Sequence, residues 1–537
     1  MKKLNAPVPI AVGLTVTAAA VALAVTVWPD DDTYGGSGPV GRGSAVTSPS
    51  SDPSAKNYPL SAAPRAIPAV RRHGPARGPG WHPGKSSRVL VDKGCKGLTD
   101  EGKLLSHELK IGYAYGGKAR AGDIELALKP DKKAPPESYT LSARDSRVLI
   151  TGPDEAGVFY GTRTVKQSVQ ADGKVPEGVV HDQPATAQRR FNLDIARKPF
   201  DAAWIEDRLH EMADLKLNQL GLHFSDDQGF RIASTSHPEV VSPDHLTTAQ
   251  VHKIVSLASS LHITVVPEID SPGHLGAVIK AHPDLQLKTA DGTPVKGAVD
   301  VSNPKAAQIV DSLLREYMKL FPGQYWNVGG DEYQALTVKN PEASFPQLAA
   351  LARKKYGAKG TVQDLAVAWL NDRAAVVRKA GRTPQAWNDG FFRGGVAKAD
   401  KNIQVEYWTG KEFGARPPEE YLSEGRQVVN LNDEYLYYVL GQPNDFTYPT
   451  GKRIYEQWTP LVVRGTKAVP AKYAHLIVGG GFAVWGDFPN AQTPAQVAAG
   501  IRMPLRATAQ KLWDPGKPKL TWTQFTALAA KLDHPAG

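Results

Sequence analysis

From Arg189 onward, short apolar runs alternate with longer stretches whose apolar residues recur three and four positions apart. The short runs are typical of buried strands, and the longer spacing is typical of amphipathic helices. The eight candidate strands are Phe191–Ile195, Gln219–Phe224, Ile263–Pro267, Tyr325–Val328, Pro384–Trp387, Ile403–Trp408, Gln427–Leu431 and Phe482–Trp485. Candidate helices between them are Trp204–Leu215, Thr248–His262, Pro304–Leu320 and Val362–Ala380. This alternation predicts an α/β fold, a (β/α)8 TIM barrel over residues 183–537. An open doubly wound sheet is disfavoured, because no GxGxxG follows the first strand.

Residues 86–182 have a different pattern, with short β-type runs and one helical stretch. The runs are RVLVD, DIELALK, YTLSA and RVLITG, and residues 154–170 have helical spacing. We expect a small α+β domain that precedes the barrel. It carries no catalytic constellation and is predicted to support the barrel.

The chain before this domain has two parts of distinct composition. Residues 29–85 are dense in Gly, Pro, Ser, Ala and Arg, which predicts a disordered linker because such a segment has little apolar surface to bury. Lys2 and Lys3 precede the uncharged run Ile10–Trp28, the layout of an export segment. Residues 1–28 are therefore either a cleaved signal peptide or a membrane anchor, with a tether through residues 10–28. Both readings predict an extracellular protein, secreted or anchored to the outer face of the membrane.

Composition narrows the function classes. The chain has 537 residues and one cysteine, Cys95, so an internal disulfide and thiolate metal clusters are excluded. Residues 1–100 hold twelve Lys and Arg against six Asp and Glu. More than half of the net charge of +10 therefore lies there, and nucleic acid is not expected as a partner. Neither a phosphate-binding Gly-rich loop nor GxSxG nor a His/Cys metal spacing occurs, so we expect no metal and no cofactor.

Carboxylates and tryptophans follow nearly every predicted strand. In a barrel of this kind the strand ends meet at one rim, where the chemistry takes place. The segments after the eight strands contain Asp194 and Arg197, HFSDDQGF, EIDSPGH, GGDE, WNDG, EYW, NDEYLYY and WGD. Aromatic rings stack on sugar faces and carboxylates bind hydroxyl groups, so the rim is predicted to bind a carbohydrate and to cleave a glycosidic bond by acid–base catalysis.

Asp331 and Glu332 are the strongest candidates for this chemistry. Neighbouring residues on an extended strand face opposite sides unless the backbone bends. Gly329 and Gly330 precede them and allow such a bend. The two acids are therefore predicted to share the cleft, although one of them could simply hold the loop.

At these residues the sequence resembles family 20 of the glycoside hydrolases, the β-N-acetylhexosaminidases. The resemblance covers about residues 87–515 and rests on motifs in chain order: FNLDIAR, LHFSDDQGFRI, PEIDSPGH, NVGGDE, AWNDG, VEYW, YLY and VWGD. It implies a barrel preceded by a small α/β domain. It also implies retention by substrate assistance, in which the 2-acetamido oxygen of the substrate attacks the anomeric carbon.

The matching motifs imply roles for individual residues. Glu332 would be the general acid and later the base, Asp331 would orient the acetamido nitrogen, and Tyr435 would donate to the acetamido oxygen. The residues implied to bind substrate or to stand behind the acid are Arg197, Asp226, Asp270, His274, Trp387, Trp408 and Trp485. The polar group behind Glu332 is expected to raise its pKa toward the working pH.

Four positions depart from the family pattern. Asn327 stands where many members have His, Phe230 where many have Trp, and Asp487 where Glu is frequent. Tyr437 takes the place of an Asp that binds a sugar hydroxyl in members releasing monosaccharides; lacto-N-biosidases, which release a disaccharide, depart similarly.

The leading hypothesis is an exported retaining β-N-acetylhexosaminidase acting on glycans with terminal β-linked GlcNAc or GalNAc. Two alternatives stay open. One is a lacto-N-biosidase-like enzyme that releases a Galβ-GlcNAc disaccharide. The other is a non-catalytic glycan-binding protein on the cell surface.

Overall fold

The computed structural model describes residues 57–393, 395–411 and 415–533. The predicted export segment and most of the predicted linker therefore lie outside the described residues. Within the described ranges, no helix combines the length and the apolar character that a bilayer crossing requires.

A small domain comes first and is built on a seven-stranded mixed sheet. Its strand order is β1-β7-β5-β6-β4-β2-β3, and two helices accompany it. The elements are β1 (Arg72–Pro75), β2 (Arg88–Val91), α1 (Thr99–Leu109), β3 (Gly112–Tyr115), β4 (Ile124–Leu128), β5 (Tyr139–Arg144), β6 (Arg147–Gly152), α2 (Glu155–Asp172) and β7 (Gly178–Asp182). All four predicted strands and the predicted helix are present, while β1, β3 and β7 were not predicted.

Residues 57–85 belong to this domain, so the prediction of a disordered linker is wrong for them. Strand β1 pairs antiparallel with β7, and Ile67 and Trp81 are 1% exposed. The Ile67 amide donates to Gln167 Oε1 at 2.8 Å. A few apolar anchors and backbone hydrogen bonds to distant elements order this segment, and its local composition does not reveal such partners.

We predict that Trp81→Ala lowers the free energy of unfolding by about 3–5 kcal/mol, as large core truncations do. Leu60→Ala, in the same segment but at a side chain that is 58% exposed, should change it by less than about 0.5 kcal/mol. Denaturant unfolding of both variants measures this. Equal effects would mean that the segment is not anchored through Trp81.

The remaining elements form the barrel and its insertions. They are β8 (Gln188–Asp194), α3 (Ala202–Asp214), β9 (Gln219–His223), α4 (Thr248–Ser260), β10 (Thr264–Glu268), α5 (Gly276–Ala281), β11 (Gln286–Lys288), β12 (Pro294–Val299), α6 (Pro304–Leu320), β13 (Tyr325–Asn327), α7 (Pro341–Ser344), α8 (Pro346–Tyr356), α9 (Val362–Lys379), β14 (Thr383–Trp387), β15 (Gln404–Tyr407), α10 (Pro418–Ser423), β16 (Val428–Asn430), α11 (Asp433–Leu436), β17 (Tyr437–Val439), α12 (Gly451–Gln457), β18 (Ile477–Trp485), α13 (Pro494–Trp513) and α14 (Trp522–Asp533).

Eight parallel strands close the barrel in the order β8-β9-β10-β13-β14-β15-β16-β18, and β18 pairs with β8. Every predicted barrel strand and helix overlaps an observed one, which confirms the predicted fold class. Several helices begin where the sequence supplies a cap; Thr247 and Gln250 form a capping box at α4, for example. The short strand β17 pairs parallel with the end of β18, where Val439 is opposite Trp485.

The barrel interior is polar beneath the rim. Arg190 Nη1 lies 2.5 Å from Glu406 Oε1, and Arg190 Nη2 donates to Gln385 Oε1 at 2.7 Å. All three side chains are buried. This paired network fills the barrel without leaving its charges unpartnered, and it forms the floor below the rim.

Candidate active site

The loop after β13 carries Asp331 and Glu332, and it bends as the two glycines predict. Gly329 and Gly330 have φ of 71° and 104°, and Glu332 itself has φ of 48°. A Cβ on Gly329 would overlap the carboxylate of Asp270, so only glycine fits there. The Gly330 amide donates to Asp270 Oδ1 at 2.8 Å. The bend brings both acids to the rim.

His274 lies between the two acids and the carboxylates behind them. Its Nε2 is 3.3 Å from Glu332 Oε2, 3.6 Å from Asp331 Oδ2 and 4.0 Å from Asp270 Oδ2. Its Nδ1 is 3.4 Å from Asp226. Burial alone would lower the pKa of His274, but the charges of Asp226, Asp331 and Asp270 raise it well above the usual value. These carboxylates therefore favour the imidazolium form of His274.

A second cation, Arg197, lies beside Asp226 on the side away from the two acids and pairs with the carboxylates there. Its Nη2 lies 2.8 Å from Asp226 Oδ2 and its Nη1 lies 3.2 Å from Asp194 Oδ2. The guanidinium also stacks over the Trp485 ring at 5.5 Å. Burial opposes the charge of Asp226, but His274 and Arg197 hold the pKa of Asp226 well below its usual value. Burial raises the pKa of Asp487. The charge of Arg197 acts in the opposite direction but does not outweigh burial.

The carboxylates differ in how easily they take up a proton. Burial, reinforced by the charge of Asp331, raises the pKa of Asp270 well above its usual value. Burial also raises the pKa of Asp331. The upward shift is larger at the completely buried Asp270, so a proton shared by this pair favours Asp270 over Asp331.

The pKa of Glu332 is lowered, so the expectation of a raised value is wrong for the protein without substrate. The neighbouring His274, whose Nε2 lies 3.3 Å from Glu332 Oε2, is the largest cause, and it outweighs the opposing effect of burial. The Glu332 side chain is 46% exposed, which limits how much desolvation acts on it. Water and the imidazolium together stabilise the charged form.

Four aromatic side chains form one wall of the site. Trp387 lies 5.8 Å from Trp485, and Trp408 stacks on Tyr437 with centroids 5.8 Å apart and planes at 6°. Tyr437 also contacts Trp485, at 5.6 Å. Trp387 Nε1 donates to Glu268 Oε1 at 2.8 Å, whereas the buried Trp485 Nε1 has no partner among the described residues. The rings thus form one apolar surface at the barrel rim, and the space in front of it is called the pocket.

The structure separates the two tyrosines of the YLY motif. Tyr435 lies in the main core, with the Arg453 guanidinium 4.2 Å from its ring centroid. Tyr437 and Val439 lie in the cluster with Trp387 and Val429. Burial, Asp433 and Asp331 raise the pKa of Tyr437 well above its usual value. We therefore reassign the tyrosine that faces the pocket from Tyr435 to Tyr437.

This shift follows from the strand β17. Side chains alternate along a strand, so Tyr437 and Val439 face the pocket while Tyr438 points away and bonds Gln492. If Tyr437 is the tyrosine of the family pattern, the family's hydroxyl-binding Asp corresponds to Val439. The pocket then has an apolar side chain at that point.

Three further polar residues complete the site and were not singled out from the sequence: His223, Glu268 and Asp389. His223 Nε2 lies 2.9 Å from Asp226 Oδ2, and its Nδ1 lies 3.0 Å from Glu268 Oε1. These partners overcome desolvation and raise the pKa of His223 to about 10. Asp389 accepts from the Glu332 amide at 2.8 Å and from Trp408 Nε1 at 3.0 Å. Their only sequence signal was their position at the ends of three predicted strands.

Two of the departures noted in the sequence have structural explanations. Phe230 is completely buried and packs edge-on against Phe224 at 5.6 Å, so it belongs to the core. Asn327 Oδ1 accepts from the Gly329 amide at 2.6 Å and thereby supports the bend that carries the acids.

Comparison with known proteins identifies the family. The model named "Glycosyl hydrolase family 20, catalytic domain" matches residues 187–515, and "Glycosyl hydrolase family 20, domain 2" matches residues 63–183. The chain belongs to glycosyl hydrolase family 20. The domain 2 match includes residues 63–85, in agreement with the ordered segment described above. For this family 20 protein, the (β/α)8 barrel and the small domain before it are the family's own architecture.

Among curated proteins, the family 20 chain is 29% identical over 510 residues to a lacto-N-biosidase of Bifidobacterium bifidum, across 92% of this chain and 44% of that protein. It is 25% identical over 494 residues to a β-hexosaminidase of Porphyromonas gingivalis, across 83% of this chain and 58% of the relative. The chain thus spans about half the length of these relatives. The family 20 β-N-acetylhexosaminidase structure of Streptomyces coelicolor superposes with a TM-score of 0.70 at 24% identity, over 88% of this chain and 96% of that chain, which shows the shared fold.

Proposed function

We propose that the protein is a retaining β-N-acetylhexosaminidase that hydrolyses terminal β-linked GlcNAc or GalNAc from glycans. The observation that carries this proposal is the pair Asp331 and Glu332 at the mouth of a pocket walled by Trp387, Trp408 and Trp485. Tryptophan rings provide flat apolar surfaces for a pyranose ring and an acetyl group. The acids stand where the glycosidic bond of a sugar in that pocket would lie.

We propose a substrate-assisted mechanism. The acetamido oxygen of the substrate attacks the anomeric carbon as the bond to the leaving oxygen breaks, and that oxygen takes the Glu332 proton. The product of this step is an oxazolinium ion. Glu332, now a carboxylate, takes a proton from water, which opens the ring from the face the leaving group had occupied. The anomeric carbon is inverted in each of the two steps, so its configuration is retained overall.

Asp331 and Tyr437 suit the acetamido group. A charged Asp331 accepts the acetamido N–H and balances the positive charge that develops on the oxazolinium ring, and the proton held by Asp270 keeps that charge available. Tyr437 donates its hydroxyl proton to the acetamido oxygen and fixes it for attack. This role was expected for Tyr435, which lies in the core instead.

The acid role of Glu332 requires a proton that its lowered pKa disfavours in the free protein. A sugar bound in the pocket covers the exposed part of this side chain and removes water from it. Desolvation favours the neutral carboxylic acid, so substrate binding raises the pKa of Glu332 and loads the proton. Glu332 thereby becomes a competent acid only when a sugar is bound in the pocket.

A second candidate is release of a Galβ-GlcNAc disaccharide, as in lacto-N-biosidases. The observation in its favour is the apolar Val439 beside Tyr437, where a carboxylate would bind a hydroxyl of a terminal monosaccharide. The similarity over 92% of this chain to a protein named lacto-N-biosidase supports the same choice. A non-catalytic glycan-binding protein is less well supported, because the acid pair and its supporting cations are complete.

Turnover of three aryl glycosides tests these functions together. We expect hydrolysis of aryl β-GlcNAc or β-GalNAc, and a higher kcat/KM on aryl β-lacto-N-bioside would favour the second candidate. A thiazoline analogue of the cyclised intermediate should inhibit far more strongly than free GlcNAc, because it resembles the transition state. Turnover without thiazoline inhibition contradicts substrate assistance, and no turnover of any glycoside contradicts both enzyme functions.

We also propose that the protein acts outside the cell. The support is the sequence pattern alone, with Lys2 and Lys3 before the uncharged run Ile10–Trp28. Fractionation of the producing cells tests this: full-length protein in membranes indicates an anchor, shortened protein in the medium indicates cleavage, and cytoplasmic protein contradicts export.

A further inference from the structure

Two histidines and one glutamate converge on the surface beside the active-site loops. His237 Nδ1 and His282 Nε2 each lie 2.9 Å from the same oxygen, Glu239 Oε1. The three possible ligand atoms all lie within 4.8 Å of one another. The histidines are mostly buried, with 18% and 19% of their side chains exposed, whereas 41% of Glu239 is exposed. The cluster therefore has one side open to water.

We propose that His237, Glu239 and His282 bind a divalent transition-metal ion, with Zn²⁺ as the best fit. Two imidazoles and one carboxylate are a donor set that zinc uses, with water in the fourth position. Bonds of 2.0–2.1 Å in a tetrahedron separate ligand atoms by about 3.3 Å, and the observed 2.9 Å contacts are close to this. Mg²⁺ and Ca²⁺ fit poorly, because they prefer oxygen ligands.

The backbone around the cluster is held in place without a metal. Glu316 of α6 accepts from the Thr235 amide at 2.6 Å and from Ser234 Oγ at 2.7 Å. Ser234 Oγ in turn accepts from the His237 amide at 3.0 Å. His282 follows α5 directly, and its amide donates to the Val278 carbonyl at 2.9 Å. The ligand positions are thus preorganised, which lowers the entropic cost of binding an ion.

The cluster joins two segments that carry active-site residues. His237 and Glu239 belong to the connection after β9, which also contains Asp226, and His282 directly follows the short helix α5, which starts two residues after His274. The Gly276 amide, at the start of that helix, donates to Asp227 Oδ1 at 3.0 Å. An ion at the cluster would link the middle of the first segment to the end of α5. The site was not visible in the sequence because 43 residues separate Glu239 from His282.

Titration of the chelator-treated full-length protein with ZnCl₂ in a calorimeter tests the proposal. We expect saturation at one equivalent, and His282→Ala should weaken binding by at least about 10-fold, since losing a ligand costs no less than losing an outer partner. His245→Ala is the matched control, because His245 lies in the same connection and its hydrogen-bond partners among the described residues are the backbone carbonyls of Ser242 and Pro243. This variant should bind Zn²⁺ like the wild type.

Thermal unfolding provides a second measurement. Zn²⁺ should raise the Tm of the wild type and of His245→Ala, and it should leave the Tm of His282→Ala unchanged. Glu239→Gln serves if His282→Ala does not fold. Asp270, His274 and Asp331 form the other closely spaced group among the described residues. Binding that survives His282→Ala but is lost in Asp270→Asn would overturn the proposal, as would the absence of saturable binding.

Discussion

Glu332→Gln is expected to lower kcat by about 10²–10⁴-fold on glycosides with basic leaving groups, because a general acid contributes a factor of this size. On an aryl glycoside whose leaving group needs no protonation, the loss should be much smaller. Gln has nearly the same shape, and the backbone hydrogen bond from position 332 to Asp389 does not depend on the side chain. The measurement is kcat for wild type and variant on leaving groups of graded basicity.

Asp331→Asn is the matched control for this experiment. Its loss should be similar for all leaving groups, because Asp331 acts on the acetamido group and not on the departing oxygen. If Glu332→Gln loses the same factor on every substrate, Glu332 is not the general acid. If Asp331→Asn instead shows the leaving-group dependence, the two roles are exchanged.

Tyr437→Phe is expected to lower kcat by about 10²-fold or more, as removal of one hydrogen-bond donor to a reacting oxygen does. The aromatic ring that stacks on Trp408 remains in this variant, so KM should change little. Tyr435→Phe, the paired control, should retain kcat within about threefold, because its hydroxyl has no hydrogen-bond partner that the described residues supply and its ring lies in the core. Kinetics of both variants on one aryl glycoside decide the assignment.

The opposite result has a clear meaning. A large loss in Tyr435→Phe with normal kcat in Tyr437→Phe would return the acetamido contact to Tyr435 and would show that the pocket face of β17 has been misjudged. Losses in both variants would mean that the core beneath Arg453 positions Tyr437.

The sequence alone predicted the barrel because its signals are local. Each predicted strand, from Phe191–Ile195 to Phe482–Trp485, is a short apolar run, and each of the four predicted helices has its own three- and four-residue spacing. The bend at Gly329 and Gly330 was predictable for the same reason, since backbone freedom belongs to the residue itself. The order of motifs at the strand ends then placed Asp331, Glu332, His274 and the tryptophans on one rim.

The tertiary structure decided what depends on partners distant in the chain. The segment before Lys85 is ordered by β7 and by Gln167, about a hundred residues away. The choice between Tyr435 and Tyr437 depends on the pairing of β17 with β18, because the register of a strand determines which side chains face the pocket.

The charges of the site also depend on distant partners. Composition and motifs identify Glu332 as an acid, but its pKa depends on the neighbouring His274 and on its remaining exposure to water. The cluster of His237, Glu239 and His282 is a further case, since its ligands come from two separate connections of the barrel. Electrostatic interactions act through space over a few ångströms, so residue types and their order determined the candidates, and only the folded chain decided which of them meet.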